Sequence, residues 1–397
     1  MDLFAPPSKS GVRVNTEATV GLTAVWRAIA LLSESIASIP FEIIEEQGDI
    51  TRKATDHPLY NLVNLEPAPY YSSFDFRMAF VYEALTQGEV FVMPQMGTRG
   101  YIDELLILPK KKFGIRRLPM TEDRQVFYKI KALDLIVNER ELIHVKWMTE
   151  NGLDGLNTIH IHKDNFGFGL ATRDFGNQFY KNGAHLGGWV KYPGKLSPEQ
   201  ITNIKRSIQT NYSGIENVGR VGVFEEGMEY NQTSVDFEKL QMLPAQRFNV
   251  EEVSRIFGVS PHLLSSLERA TFNNIEQLSQ ELATYTIRPW VKRIEQEFNR
   301  KIFPENEKGR FKVRLNMNAF LRGDTESRAE FYKKLIESGV MSVNEARKAE
   351  KMNPIEGGDI HLVPLNMGTL ENINDREQAQ IQENAPDTQS ELNDEQE

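Results

Sequence analysis

The most constraining feature of this sequence is a pair of long helical segments that enclose a small mixed insert. Residues 157–182 and 235–257 have helical patterns of apolar and polar residues. Between them, residues 186–234 have strand patterns and one helix start, in which Ser197 and Gln200 form a capping box around a proline. This order predicts two long helices that flank one small α/β unit.

Three glycines within the first of these helical segments need a structural reason. Gly167, Gly169 and Gly176 each cost a helix about 1 kcal/mol relative to alanine. Close approach of a neighbouring helix or subunit would offset that cost. A plain helix break is the alternative interpretation.

The first 150 residues have the patterns of a mixed α+β unit. Apolar residues at alternating spacings of three and four predict a helix over 16–39, with Asn15 or Thr16 as its cap and Pro40 as its stop. A short strand and two further helices follow. From residue 89 to residue 148 the pattern is that of strands.

The carboxy-terminal third is predicted to be mainly helical. A long helix over 274–303 keeps helical spacing of its apolar residues, and Pro289 is expected to kink it because proline lacks an amide donor. Two shorter helices over 325–338 and 342–351 have clear start and stop signals.

Most of the charge of the chain lies at its carboxy-terminal end. Residues 371–397 contain nine acidic residues and one basic residue, so they carry −8 of the net charge of −10, and residues 1–370 carry −2. Few large apolar residues accompany these charges, which predicts a disordered acidic tail. The rest of the chain lacks the global basic surface of proteins that grip nucleic acid through its phosphates.

The composition excludes several classes of protein. With 397 residues, 40% of them hydrophobic, the chain can form two or three domain-sized units. It contains no cysteine, which excludes disulfide frameworks, thiol nucleophiles and cysteine-bound metal sites. Because charges interrupt every apolar run before it reaches the roughly 18 residues that span a bilayer, we expect no membrane partner.

A search for catalytic motifs yields no constellation that we favour. The segment from Gly188 to Leu196 fails the spacing of a phosphate-binding loop and lacks its hydroxyl. His160, His162 and Asp164 could gather a metal ion, but polar positions along a helix explain them better. We therefore expect no cofactor, no metal ion and no enzymatic activity.

One basic cluster lies in the strand-rich region. It consists of Lys110, Lys111, Lys112, Arg116 and Arg117. As a nucleic-acid patch this cluster is weak, because lysines also protect the edges of sheets from pairing and remain solvated. We interpret it as a solvated sheet edge.

The order of segments and several local strings resemble the portal, or head-to-tail connector, proteins of long-tailed bacteriophages and prophages. The resemblance extends from about Val20 to Met367. Its strongest string is Leu267-Glu268-Arg269-Ala270-Thr271-Phe272-Asn273-Asn274-Ile275-Glu276-Gln277, which continues to Arg288-Pro289-Trp290. Further strings include Ile36-Ala37-Ser38-Ile39-Pro40, His57-Pro58-Leu59-Tyr60-Asn61-Leu62, Glu141-Leu142-Ile143-His144-Val145, Asn182-Gly183-Ala184, Ile256-Phe257-Gly258-Val259-Ser260-Pro261-His262-Leu263-Leu264, Leu321-Arg322-Gly323-Asp324 and Asn344-Glu345-Ala346-Arg347.

This resemblance implies an α+β portal fold assembled as a ring, usually a dodecamer, at one vertex of a capsid. The regions of such a subunit are called wing, stem, clip and crown. Carried onto this chain, they are 1–156 for the α+β wing, 157–183 and 235–257 for two stem helices, 184–234 for the α/β clip, 258–273 for a channel loop, 274–303 for a long kinked wing helix, 304–370 for the helical crown and 371–397 for the acidic tail.

The resemblance also implies two sets of functional residues. The channel loop is expected to face DNA through Leu264, Ser265, Ser266, Leu267, Glu268, Arg269, Ala270, Thr271, Phe272 and Asn273. The clip is expected to dock the packaging motor and the head–tail adaptor through Ser197, Glu199, Gln200, Asn217, Arg220, Glu225 and Glu226. A near-neutral or acidic lining suits a channel because a basic lining would hold the phosphates of the duplex.

The function implied by the resemblance is a conduit for double-stranded DNA during packaging and ejection, without sequence specificity. The implied partners are further copies of the chain, the terminase large subunit, the head–tail adaptor, and the major capsid and scaffolding proteins. Such a protein is part of the virion, at the portal vertex, and assembles in the cytoplasm of the bacterial host. Two alternatives stay open: another ring-forming head–tail adaptor, and a hydrolase with a site around His160, His162 and Asp164.

Overall fold

The structure is a computed structural model, and it describes residues 7–48, 50–98, 100–181, 188–211, 227–232, 242–264, 278–317, 325–350 and 352–362. The helices are α1 (Thr16–Val20), α2 (Thr23–Ser38), α3 (Leu59–Asn64), α4 (Ser73–Gln87), α5 (Lys110–Phe113), α6 (Thr158–Ile161), α7 (Lys163–Lys181), α8 (Pro198–Asn211), α9 (Met242–Phe257), α10 (Arg288–Lys301), α11 (Thr325–Glu337) and α12 (Val343–Ala349). The strands are β1 (Phe41–Gln47), β2 (Ile50–Lys53), β3 (Glu89–Met96), β4 (Ile102–Leu108), β5 (Ile115–Arg117), β6 (Phe127–Ile130), β7 (Leu135–Asn138), β8 (Ile143–Lys146), β9 (Gly188–Lys191), β10 (Glu229–Gln232) and β11 (Phe311–Leu315).

The chain divides into two compact units, Met1–Leu321 and Arg322–Glu397. In the first unit, antiparallel strands form three-stranded sheets in the orders β11-β1-β2, β4-β3-β8 and β5-β6-β7, and β9 pairs with β10. In the second unit the described elements are α11 and α12. The mixture of helices and antiparallel sheets agrees with the predicted α+β class.

Helices α2, α4 and α10 form the main core of the first unit. The buried residues of α2 include Ile29, Leu32 and Ile36, which recur at helical spacing on one face. The ring of Phe298 from α10 packs edge-on against Phe41, with centroids 5.8 Å apart. Full burial of one such side chain stabilises the fold by about 1.5–3 kcal/mol, so this shared core holds helices and sheets together.

The helix predicted over 16–39 is two helices, which corrects that prediction. Asn15 caps α1 through Oδ1, which accepts from the amide of Ala18 at 2.7 Å. The amide of Leu22 then donates to the carbonyl of Thr19, and Leu22 is extended with ψ of 123°, so α2 starts afresh at Thr23. Apolar spacing continues across Gly21, and spacing alone therefore did not predict the break.

Two other predicted helices also differ from the observed ones. The segment 157–182 is interrupted at His162, which separates α6 from α7. Before Pro289, residues Leu282–Ile287 form a π-helical turn, and the amide of Arg288 donates to the carbonyl of Ala283. This wider turn precedes the proline at which the sequence predicts a kink.

The long helix predicted over 235–257 is described from Met242, so Pro244 lies in its first turn, where a proline is tolerated. Strand β11 pairs with β1, with Phe41 opposite Leu315. Strand β11 therefore belongs to the first compact unit. Among the described residues, no helix has the length and apolar character needed to cross a membrane.

Candidate functional site

The two helices that flank the insert pack against each other, and they form the base of the candidate site. Nδ2 of Asn165 in α7 donates to Oε2 of Glu252 in α9 at 2.6 Å. The rings of Phe168 and Phe248 meet edge-on, with centroids 6.3 Å apart. The segment between α7 and α9 therefore starts and ends at the same packed pair of helices.

Two glycines of α7 have the packing reason that the sequence analysis required. A Cβ atom on Gly169 would lie 2.6 Å from the side-chain amide of Asn249 in α9. A Cβ atom on Gly167 would lie 2.2 Å from Oγ of Ser8 in the amino-terminal segment. Close approach of neighbouring elements is therefore the confirmed interpretation at these two positions.

Large apolar side chains remain exposed on this helix pair. Phe168 is 41% exposed and Phe175 is 43% exposed, and they lie seven residues apart on one face of α7. Phe248 of α9 is 50% exposed and Ile161 of α6 is 53% exposed. We call the three phenylalanines Phe168, Phe175 and Phe248 the aromatic stripe; the sequence analysis did not identify it, although the seven-residue spacing in α7 was a visible signal.

The described part of the insert holds a strand pair and one helix. Strands β9 and β10 are antiparallel, with Lys191 opposite Glu229. Ser197 and Gln200 form the predicted capping box: the Ser197 amide donates to Oε1 of Gln200 at 2.8 Å, and Oγ accepts from the Gln200 amide at 3.2 Å. The side chain of Glu199 is exposed in the first turn of α8. The other predicted docking residues, Asn217, Arg220, Glu225 and Glu226, lie outside the described residues.

Of the predicted channel loop over 258–273, the structure describes residues 258–264. Leu264 is buried in the main core, so this residue anchors the segment rather than facing DNA, which corrects the prediction for it. Ser265 to Asn273 lie outside the described residues, and the prediction for them stands. Oγ1 of Thr286 in the π-helical turn donates to the carbonyl of Gly258, the first residue of the loop, at 2.6 Å.

The residues of the alternative hydrolytic site do not form a shared centre. Asp164 accepts from the amide of Lys9 at 3.0 Å, and its carboxylate pairs with the Lys9 ammonium. Burial lowers the pKa of His162 below its usual range. Within the part of the chain that the structure describes, no group of three or more histidine, cysteine or acidic side chains is placed to hold a metal ion.

Part of the basic cluster is structural. The ammonium of Lys110 binds Oε1 of Glu89 at 2.5 Å. Arg117 binds both carboxylate oxygens of Asp154, and this hydrogen bonding lowers the pKa of Asp154 to about 2. The interpretation of the whole cluster as a solvated edge is therefore wrong for these two residues, which form ion pairs with β3 and with the loop after β8.

Known proteins resemble this chain over most of its length. A family model described as phage portal protein matches residues 23–351. The probable portal protein of Streptomyces phage phiC31 is 28% identical over 375 residues, which is 91% of this chain and 81% of that protein. The portal protein of Enterobacteria phage HK97 is 28% identical over 359 residues, which is 87% of this chain and 82% of that protein.

Solved structures share the fold at lower identity. A crystal structure of an HK97 family phage portal protein from Corynebacterium diphtheriae has a TM-score of 0.59 at 15% identity, and the match covers 79% of this chain and 99% of that one. A chain in the "neck of native GTA particle computed with C12 symmetry", where GTA is a gene transfer agent, has a TM-score of 0.55 at 16% identity, over 85% of this chain and 94% of that one.

Proposed function

Because this chain belongs to the phage portal protein family, we propose that twelve copies of it form a ring at one vertex of a capsid, through which DNA enters and leaves the head. The C12 symmetry of the gene transfer agent neck supports the ring number, since a chain of the same fold occupies that particle. The match to the portal family over residues 23–351 favours this function over that of a separate head–tail adaptor.

The aromatic stripe is the observation that carries the proposed assembly. Each of its three side chains leaves about half of its surface in water in the single chain, although large apolar residues favour burial. The stripe lies on helices that already pack as a pair, so it is a preformed surface. In a ring, the stripe of one subunit packs against a different surface of the next, and the rotation between subunits closes the assembly.

We assign the regions of the subunit on this basis. Residues 1–156 and 278–316 form the wing, α7 and α9 the stem, 184–234 the clip, and 322–370 the crown. The clip docks the terminase large subunit and later the head–tail adaptor, with Glu199 as an exposed docking residue. The major capsid and scaffolding proteins surround the ring, which assembles in the host cytoplasm and stays in the virion.

DNA passes through the ring without sequence specificity in this proposal, and the segment 265–273 lines the passage. The charge of residues 1–370 is close to neutral, −2 in total. The absence of a large excess of cations supports the movement of DNA, because an excess of cations would bind its phosphates. The terminase motor supplies the energy by hydrolysing ATP. The chain itself performs no catalytic step.

The native mass of the purified protein tests the ring. Twelve copies of 45.5 kDa give 12 × 45.5, or about 546 kDa, measured by light scattering or native mass spectrometry. The double variant Phe168→Ser and Phe248→Ser is expected to lose this species, while Phe74→Ser, which has the same 41% exposure as Phe168 but lies on α4, keeps it. A wild-type chain that stays monomeric at every concentration, even with scaffold present, would contradict the proposal.

A further inference from the structure

A cleft of about 470 Å³ in the first unit is lined by an excess of cations, and it lies away from the helix pair. The turn before β6, the start of the 3₁₀ turn at Glu139–Glu141, the end of β8 and α10 contribute to it. Its charged lining residues are Arg124, Arg140, Lys146 and Arg300, with Asp123 and Glu139. Four cations therefore face two carboxylates.

One of these carboxylates is already neutralised by a cation from outside the lining. Oε1 of Glu139 accepts from Nζ of Lys301 at 2.7 Å. Arg300 lies 3.5 Å from the same oxygen and binds Glu297 at 2.9 Å through its other terminal nitrogen. Glu139 and Arg300 thus have ion-pair partners within the protein. The other charged residues of the lining are three cations, Arg124, Arg140 and Lys146, and one carboxylate, Asp123.

Lys146 has no carboxylate partner within ion-pair distance among the described residues. Its Nζ reaches only Nδ1 and the carbonyl oxygen of His144, at 3.4 and 3.5 Å. The residue is half-buried at the end of β8, and this burial lowers the pKa of its ammonium. Glu297, Glu139 and Glu89 act on this ammonium only from beyond ion-pair distance, and an anion in the cleft would add a direct partner.

Arg124 holds a backbone conformation that arginine rarely adopts. Its φ is +57°, in the left-handed region, within a turn closed by a hydrogen bond from its amide to the carbonyl of Thr121 at 2.9 Å. Glycine would occupy this position with less strain. Strained residues that persist are concentrated at functional positions, and this residue is one of those that line the cleft.

We propose that this cleft binds a phosphate group through Arg124, Arg140 and Lys146. Guanidinium groups bind phosphate oxygens in a bidentate manner, and an ammonium adds a point charge. The volume of the cleft accepts a phosphate together with an attached sugar. The phosphate is either free in solution or part of a DNA strand, and this ligand site is independent of the proposed ring.

Isothermal titration of the full chain with inorganic phosphate, at an ionic strength held constant with sodium chloride, tests the site. Arg124→Gly and Lys146→Met are each expected to weaken binding by about tenfold or more, because each removes a charged hydrogen bond. Neither variant should unfold the protein: the first relieves backbone strain, and the second keeps a side chain of similar length while it removes a partly buried charge. Asp134→Gly is the matched control, since Asp134 also has a left-handed backbone, with φ of +48°, and is absent from the cleft lining.

A second titration with a short dT oligonucleotide separates the two sources of phosphate. Tighter binding of the oligonucleotide than of inorganic phosphate, lost in Arg124→Gly, identifies a DNA strand as the ligand. Equal or weaker binding of the oligonucleotide identifies free phosphate. The absence of a binding heat with both probes would overturn the proposal. So would phosphate affinities of Arg124→Gly and Lys146→Met that equal the affinity of the control Asp134→Gly.

Discussion

His144 lies in β8, and its buried ring contacts the side chains of Glu89, Phe91, Tyr128 and Lys146. Nε2 lies 2.7 Å from Oε2 of Glu89, and the ring stacks on Phe91 with centroids 4.1 Å apart. Nδ1 lies 3.0 Å from the hydroxyl of Tyr128 and 3.4 Å from Nζ of Lys146. Because an ammonium can only donate, Nδ1 is the acceptor and Nε2 carries the proton, which is the neutral form of histidine.

The neutral state of His144 makes stability depend on pH. Burial lowers the pKa of His144 below its usual value of 6.5, although the hydrogen bond to Glu89 opposes the shift. As the pH falls through 6.5, this histidine binds a proton in the unfolded chain but stays neutral in the folded chain. The free energy of unfolding therefore decreases as the pH falls. Burial raises the pKa of Glu89, but hydrogen bonds from His144 and Lys110 lower it more. Protonation of Glu89 therefore reduces the free energy of unfolding only below about its usual pKa of 4.5.

We expect the free energy of unfolding to decrease between about pH 7.5 and about pH 5.5, and His144→Gln to decrease this dependence. Glutamine can still donate to Glu89 but takes up no proton in this range. Urea unfolding at the two pH values measures the effect, with the exposed His160→Gln as control. An equal dependence in wild type and His144→Gln would contradict the neutral assignment.

At the scale of elements, Gly88 controls the junction between α4 and β3. Its φ is +83°, and an added Cβ atom would lie 2.1 Å from the carbonyl oxygen of Leu156. We expect Gly88→Ala to lower the free energy of unfolding by at least about 3 kcal/mol, because it adds a backbone clash to the left-handed strain. Urea unfolding measures the loss.

Gly48→Ala is the control for this junction. Gly48 has φ of +60° and no atom within 4 Å of the added Cβ, so only the strain of about 1 kcal/mol is expected. A loss as small at Gly88 as at Gly48 would mean that the backbone near Leu156 moves away easily. The close contact would then not define the junction.

Local signals in the sequence predicted the elements well where a cap or a stop residue marks an end. Ser72 caps α4 through a bond from the amide of Asp75, and Ser342 and Glu345 form a capping box at the start of α12, where the sequence predicted a helix start. The break at Leu22 and the π-helical turn before Pro289 were not predicted. Apolar periodicity continues through a break of one or two residues, so these features depend on backbone hydrogen bonds that a sequence pattern does not record.

The candidate sites were harder to predict than the elements because their residues come together from distant parts of the chain. Phe168 and Phe248 meet across the whole insert. Arg124 and Arg300 line one cleft from different ends of the first unit, and no local motif contains both. The resemblance to a known family indicated the regions of the subunit, but it carried no information about this cleft.

At the scale of the whole molecule, each charged side chain that faces the proposed channel is present once in every subunit of the ring. We expect Glu268→Lys to leave the native mass of the ring unchanged and to slow or block DNA packaging. Each copy then adds a cation that can hold a phosphate, and each contact steepens the salt dependence of DNA binding by about 0.9 in log–log slope.

The amount of DNA packaged per particle measures this effect, and Glu150→Lys, at an exposed position of the wing, is the control for charge placed outside the proposed channel. Normal packaging by Glu268→Lys rings would argue against a channel position for the segment 265–273.

The pairing of β1 with β11 determines when a nascent chain can fold. Arg310 binds the buried carboxylate of Glu45, 265 positions earlier in the chain. At about 5–20 residues per second, a ribosome needs roughly 15–50 s to synthesise this interval, and until then one edge of β1 lacks its native partner strand. Synthesis through Leu315 therefore precedes closure of the first unit, so a translation product that stops before β11 cannot complete this sheet.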